Sequence, residues 1–325
     1  MKTHYLLLAA LTVSCPTLAN MHNDPFEQQG ISGELSLLSG YGKSTSNLDT
    51  DHNATIGSLN HSDSSKSSGF LAPLGELRYT FDNQQVFAGI SRSDIVEGTV
   101  ALALGYAVQL SDKSEIALSY LPSIVGGEVW EDPYLVNAER QKTDVKGHAY
   151  RVQFNNIRNT HIDAEFAYYD REIDTERSGS TLHHNADDLK REGNGYLVGI
   201  STGFPFTESV IVVPNLKYHK FSADGKAMAF DEYSLNVTGI YRHNQHAISL
   251  NTSYAQEMYD ETNPLFNKTR KDSEIGINLM YEYSHFMRYN NLSFNLLASY
   301  SDSDSNITFY DEKGHMFGIG LSYTI

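Results

Sequence analysis

From Ile31 to the last residue, apolar and polar side chains alternate with a period of two, the repeat of a β-strand, where successive side chains point to opposite faces. Phe317, Ile319, Leu321, Tyr323 and Ile325 form one face of the final segment, and Gly318, Gly320, Ser322 and Thr324 the other. Val100, Leu102, Leu104, Tyr106, Val108 and Leu110 repeat the pattern, as do Ile275, Ile277, Leu279, Tyr281 and Tyr283. The helical period is nowhere sustained. Short polar turns near residues 82–84, 111–113, 156–160, 206–208, 243–245 and 288–291 alternate with longer polar segments at 45–68, 122–142, 173–192, 223–230, 256–272 and 302–313, and a shorter link at 92–97. About fourteen strands result, with twelve or sixteen as alternatives because residues 85–91 and 210–221 alternate poorly and Pro214 interrupts the latter.

A soluble β-sandwich alternates too. Three features favour a closed barrel in lipid. Aromatic residues recur at both ends of the apolar stripes: Phe81, Phe154, Phe204, Tyr241, Tyr283 and Phe294 on the short-turn side, and Tyr41, Tyr120, Tyr168, Tyr196, Tyr218, Tyr233, Tyr254 and Tyr300 on the long-loop side. Such rings suit the two boundaries between hydrocarbon and headgroups. Short turns on one side and long loops on the other match a transmembrane barrel, as does an even strand count with both termini on the short-turn side. A sheet in lipid must also close, because lipid cannot satisfy a free edge. The expected fold is all-β, a single closed antiparallel transmembrane β-barrel over residues 31–325.

The N-terminus has a different character. Met1 to His4 is basic, Tyr5 to Val13 apolar, and Thr17-Leu18-Ala19 a small-x-small exit, so residues 1–19 read as a secretory signal peptide and 20–30 as a short periplasmic segment. The sole cysteine, Cys15, falls in that leader, which leaves the mature chain without a thiol. Thr12 three places upstream and Pro16 after it argue against a lipidated cysteine. With 24 Lys+Arg against 40 Asp+Glu, the chain has a formal charge of -16 and no basic stripe, which argues against nucleic acid. Expected partners are outer-membrane lipids and lipopolysaccharide, the barrel-assembly machinery through the C-terminal strand, and small polar solutes.

Two resemblances bear on this reading. The strand from His315 to Ile325 resembles the C-terminal assembly signal of bacterial outer-membrane barrels, ending in Ile where those usually end in Phe or Trp. Leu74-Gly75-Glu76-Leu77-Arg78-Tyr79-Thr80-Phe81, Glu128-Val129-Trp130-Glu131-Asp132-Pro133-Tyr134 and Glu176-Arg177-Ser178-Gly179 resemble segments of a bacterial family known as domain of unknown function 2860. That resemblance implies residence in the outer membrane of a Gram-negative bacterium and brings no activity with it.

If the apolar stripes face lipid, Glu76, Arg78, Arg151, Glu165, Lys217 and Glu282 face the interior and are the candidates for selectivity. Fourteen strands at ~4.8 Å spacing and ~40° tilt enclose a backbone diameter of roughly 28 Å, which predicts a hydrated lumen. The Ser/Asn/Asp-rich residues 45–68 read as a solvated tip, whereas Trp130, Glu131, Asp132 and Tyr134 read as a loop that narrows the mouth. The function expected is a porin-like channel passing small polar solutes by diffusion, with a non-conducting barrel for surface contact or adhesion as the alternative. A hydrolase built on His183, His184, Asp187 and Asp188 is third, since imidazole and carboxylate at close spacing can act as a general base. No catalytic motif, metal site or cofactor is expected.

Overall fold

The structure, a computed structural model, describes residues 26–61, 65–90, 102–122, 127–182 and 185–325. The leader, the 92–97 link, Val100, Ile124, Val125, His183 and His184 lie outside these. The strands are β1 (Gly30–Thr45), β2 (Lys66–Phe81), β3 (Gln84–Gly89), β4 (Ala103–Gln109), β5 (Glu115–Pro122), β6 (Gly127–Trp130), β7 (Lys142–Lys146), β8 (His148–Asn155) and β9 (Ile162–Ile173). They continue with β10 (Gly193–Thr202), β11 (Phe204–Thr207), β12 (Val210–Ala223), β13 (Phe230–His243), β14 (His246–Asn263), β15 (Lys268–Tyr283), β16 (Leu292–Ser305) and β17 (Glu312–Thr324).

Fourteen strands make the wall. β6 and β7 pair with each other as a hairpin within a long loop, and β11 continues β10 along β12 after a break at Gly203. Every neighbouring pair in the wall is antiparallel, and β17 closes the ring on β1 from Glu34↔Thr324 to Thr45↔Lys313. The pairing runs all the way round the ring, the closure that a sheet in hydrocarbon requires. Pro214 sits within β12 opposite the Gly203 break, between the Ser201↔Asn215 and Phe204↔Val212 pairs, where the ladder is already interrupted. This is where a strand tolerates a residue without an N–H.

The turn residues explain the tight side. Asp82 and Asn244 have φ of 53° at the β2–β3 and β13–β14 turns, the left-handed region that Asp and Asn adopt most readily after Gly. One expected loop is corrected: residues 256–272 are mostly strand, since β14 and β15 run on past the other strands and turn only at 264–267. Apart from Met258 their outer side chains are polar, so the apolar alternation fades there while the backbone pairing persists.

Outward-facing Leu35, Leu37, Leu118, Phe166, Ile200, Leu216, Ile275, Ile319 and Leu321 are exposed. A continuous apolar outer face suits acyl chains, not water. Neighbouring rings interlock along its long-loop border, with centroids 5.9 Å apart for Tyr196–Tyr218 and 5.2 Å for Tyr218–Tyr233.

Candidate functional site

The interior holds all six predicted selectivity residues but does not gather them into one place. Glu76 and Arg78 share β2, where Arg78 pairs with Glu76 at 2.5 Å and its Nη1 donates to Gln85 Oε1 at 3.0 Å. Arg151, Glu165 and Lys217 occupy a second sector. Arg151 Nε donates to Ser119 Oγ at 3.3 Å, while the register sets Gln153 beside Glu165 and puts Glu165 and Lys217 on either side of Gly199. Glu282 stands apart on β15, accepting from Ser293 Oγ at 2.9 Å.

The expected hydrated lumen is corrected. Arg151, Glu165 and Lys217 are only 4%, 3% and 8% exposed, so packed side chains cover them instead of leaving them in open water. Much of that packing is apolar. Leu38, Phe70, Ala72, Val213, Ile240, Met280 and Leu297 all point inward and form one buried cluster. A second inner cluster contains Tyr169, Leu197 and Phe221, with the Tyr169 and Phe221 rings parallel to within 4° at 5.9 Å. Phe230 continues this row of rings to Tyr259, with centroids 5.3 Å apart. Glycines make room for three inward rings: Phe70 lies over Gly40, Phe87 over Gly105 and Tyr169 over Gly195, each directly across the ladder. Strand parity says which side chains point inward, but not whether they meet water or one another. The available signal was the apolar residue at inward parity, as in Leu38, Met280 and Leu297.

The long loops form a folded cap over this interior, and residues 45–68 are corrected with them. Ser46, Asn47, Thr50, His52 and Ile56 are buried, not a solvated tip. Ile56, Tyr134, Leu189, Ala227, Ile307, Phe309 and Tyr310, drawn from five loops, share a cap core. Buried Arg140 ties the first loop to the 123–147 loop. It lies 4.2 Å from the Trp130 ring and donates to the carbonyls of Asn47 (2.7 Å), Asn53 (2.6 Å), Ala54 (3.2 Å) and Pro133 (3.2 Å).

Asp132 does the same for the 174–192 loop. Its carboxylate accepts from the Tyr134, Gly179 and Ser180 amides and, at 2.6 Å, from Ser180 Oγ. Arg177 pairs with Glu131 at 3.2 Å, and Arg191 forks onto Glu176 while donating to the Trp130 carbonyl at 2.6 Å. Burial works against ionising Glu176, but the Arg191 guanidinium overrides it and holds the carboxyl below its usual range. The segments 128–134 and 176–179 therefore dock on each other. Trp130, Asp132 and Tyr134 are 1%, 5% and 2% exposed, so they cover the mouth as part of the cap core instead of narrowing an open one.

At the opposite mouth, Phe26 is buried against Ala107, Ala117 and Phe87. Gln29 fixes this segment to the β2–β3 turn, accepting from the Asp82 amide at 2.8 Å and donating to the Asp82 carbonyl at 3.0 Å. Sequence reasoning gave the segment no role, because a lone Phe before the first strand has no period to place it. Among the described residues no group of three His, Cys, Asp or Glu is arranged to hold a metal ion. Asp187 is exposed and pairs with Lys190 at 2.8 Å.

Three solved structures are similar in fold. The deltaS2 mutant of TodX, a monoaromatic hydrocarbon channel, is 11% identical with a TM-score of 0.49, covering 91% of this chain and 90% of its own. The anion-selective porin from Comamonas acidovorans is 7% identical at 0.44, covering 92% and 100%. The outer membrane channel DcaP of Acinetobacter baumannii is 9% identical at 0.43, covering 91% and 98%. No curated protein matches the sequence. The profile of the protein family of unknown function DUF2860 matches residues 30–324, the whole of the barrel, and the chain belongs to that family.

Proposed function

We propose that the protein is a channel of the bacterial outer membrane for small polar solutes, shut in this conformation at its two mouths by the loop cap and the Phe26 segment. The observation that carries this reading is the inward set Glu76, Arg78, Arg151, Glu165 and Lys217. Ionisable groups of both signs at membrane depth are costly, and they mark a solute path more often than a scaffold. Lipopolysaccharide around the outer face and the barrel-assembly machinery at the β17 strand are the partners such a barrel requires. No residue has a catalytic role in this account.

Liposome swelling with a panel of sugars, amino acids and small organic ions tests the reading. Swelling that depends on solute size and charge supports a channel, and a folded Phe26→Ala, Arg140→Ala double variant that passes none of the panel removes it. A second reading, a non-conducting barrel for surface contact, draws on the cap, whose buried core makes a rigid outer surface. Binding of the folded barrel to host or bacterial surfaces, lost on cap substitution and without solute flux, would favour it.

A further inference from the structure

The Phe26 contact is shaped like a ligand site. Two alanines facing each other across the β4–β5 ladder, Ala107 and Ala117, make the floor, and both are almost fully buried, at 1% and 3% exposed. Phe87 makes a wall, its ring laid flat because Gly105 opposite has no side chain. Arg78 adjoins that wall, with its guanidinium 5.7 Å from the Phe87 centroid. The Glu76 carboxylate holds Nε and Nη2 of Arg78, while Nη1 is spent on the neutral Gln85 Oε1.

The socket thus offers room for one aromatic ring beside a guanidinium whose Nη1 is held by a neutral amide. A carboxylate would outcompete that amide, charge-assisted bonds being roughly twice as strong, while Glu76 keeps the other two nitrogens. We propose that it is a binding site for small aromatic carboxylates at the periplasmic mouth, and that Phe26 occupies it as a tethered self-ligand. This rests on the channel reading and narrows its solute class. Ring binding and release of the N-terminal segment are then competing events. Phe26 lies three residues from the Gln29 clamp, so a free ligand competes against a millimolar effective concentration.

Calorimetric titration of the folded, detergent-solubilised protein with phenylacetate tests this, with acetate as control. Phe26→Ala is expected to bind phenylacetate about tenfold more tightly than the parent, and acetate not to compete. Adding Ala117→Phe fills the floor and abolishes binding. Adding Arg78→Gln instead weakens phenylacetate but leaves benzyl alcohol unchanged, which tests the site even if Ala117→Phe fails to fold. Equal affinity of Phe26→Ala and parent, or binding indifferent to Arg78→Gln, overturns the proposal. The titration reads the socket whether or not the barrel conducts. A barrel that binds phenylacetate yet passes no solute refutes only the channel, and a conducting barrel without the Phe26 effect refutes only the socket.

Discussion

Replacing Arg140 by Ala removes the main tie between two cap loops. The side chain is 2% exposed, donates to four backbone carbonyls and stacks on Trp130 at 4.2 Å. At about 1 kcal/mol per hydrogen bond and a similar amount for the ring contact, less what entering water restores, the loss is roughly 3–5 kcal/mol. The partners named are all in the loops, so the loss falls on the cap and leaves the wall intact. Three kcal/mol corresponds to roughly a hundredfold change in local opening. Amide hydrogen exchange across residues 46–61 should therefore accelerate by about two orders of magnitude, while strands β13 to β17 keep their protection. Arg140→Lys should recover little, because an ammonium cannot reproduce the planar fork. Unchanged exchange in the 46–61 loop would refute the idea that this guanidinium holds the cap, and loss of protection throughout the wall would show that cap and barrel are one unit.

Three further outcomes are expected. Gly195→Ala would put a methyl 2.6 Å from atoms of the Tyr169 ring and 2.7 Å from the Lys220 carbonyl, costing about 1–3 kcal/mol and lowering the urea midpoint; an unchanged midpoint contradicts that seat. Because the folded pKa of Glu176 is lowered, its contribution is complete above the ordinary carboxylate range and is lost as pH falls through the lowered value. Protease nicking of the 174–192 loop should rise with acidification in the parent, while Glu176→Gln is nicked at neutral pH and flat with pH; matching profiles exclude the Glu176–Arg191 clamp. Lys217→Glu should move the reversal potential under a KCl gradient toward cations, and a shift toward anions or none places Lys217 off the path.

The wall was legible because lipid on one side imposes a strict period, as in the Phe317, Ile319, Leu321, Tyr323 row. Even the strand count follows from it. The cap was not, since Ile56, Leu189 and the Phe309-Tyr310 pair come from three separate loops at no common spacing and find each other only after the ring closes. Residues 45–68 looked solvated because Ser, Asn and Asp dominate them, yet Asn47 is buried precisely for its polarity: its amide donates to the His61 and Phe309 carbonyls, both at 2.9 Å. Among the selectivity candidates, inward placement was readable from parity, but the closure around Arg151 and Lys217 depends on side chains contributed by several strands at once.

Single-channel recording in planar bilayers tests the central claim, a solute path shut at both mouths. The parent barrel is expected to stay closed for long periods with rare stepwise openings, and Phe26→Ala combined with Arg140→Ala to open frequently with the same unit step. Folded double variant that stays silent at every voltage would contradict it.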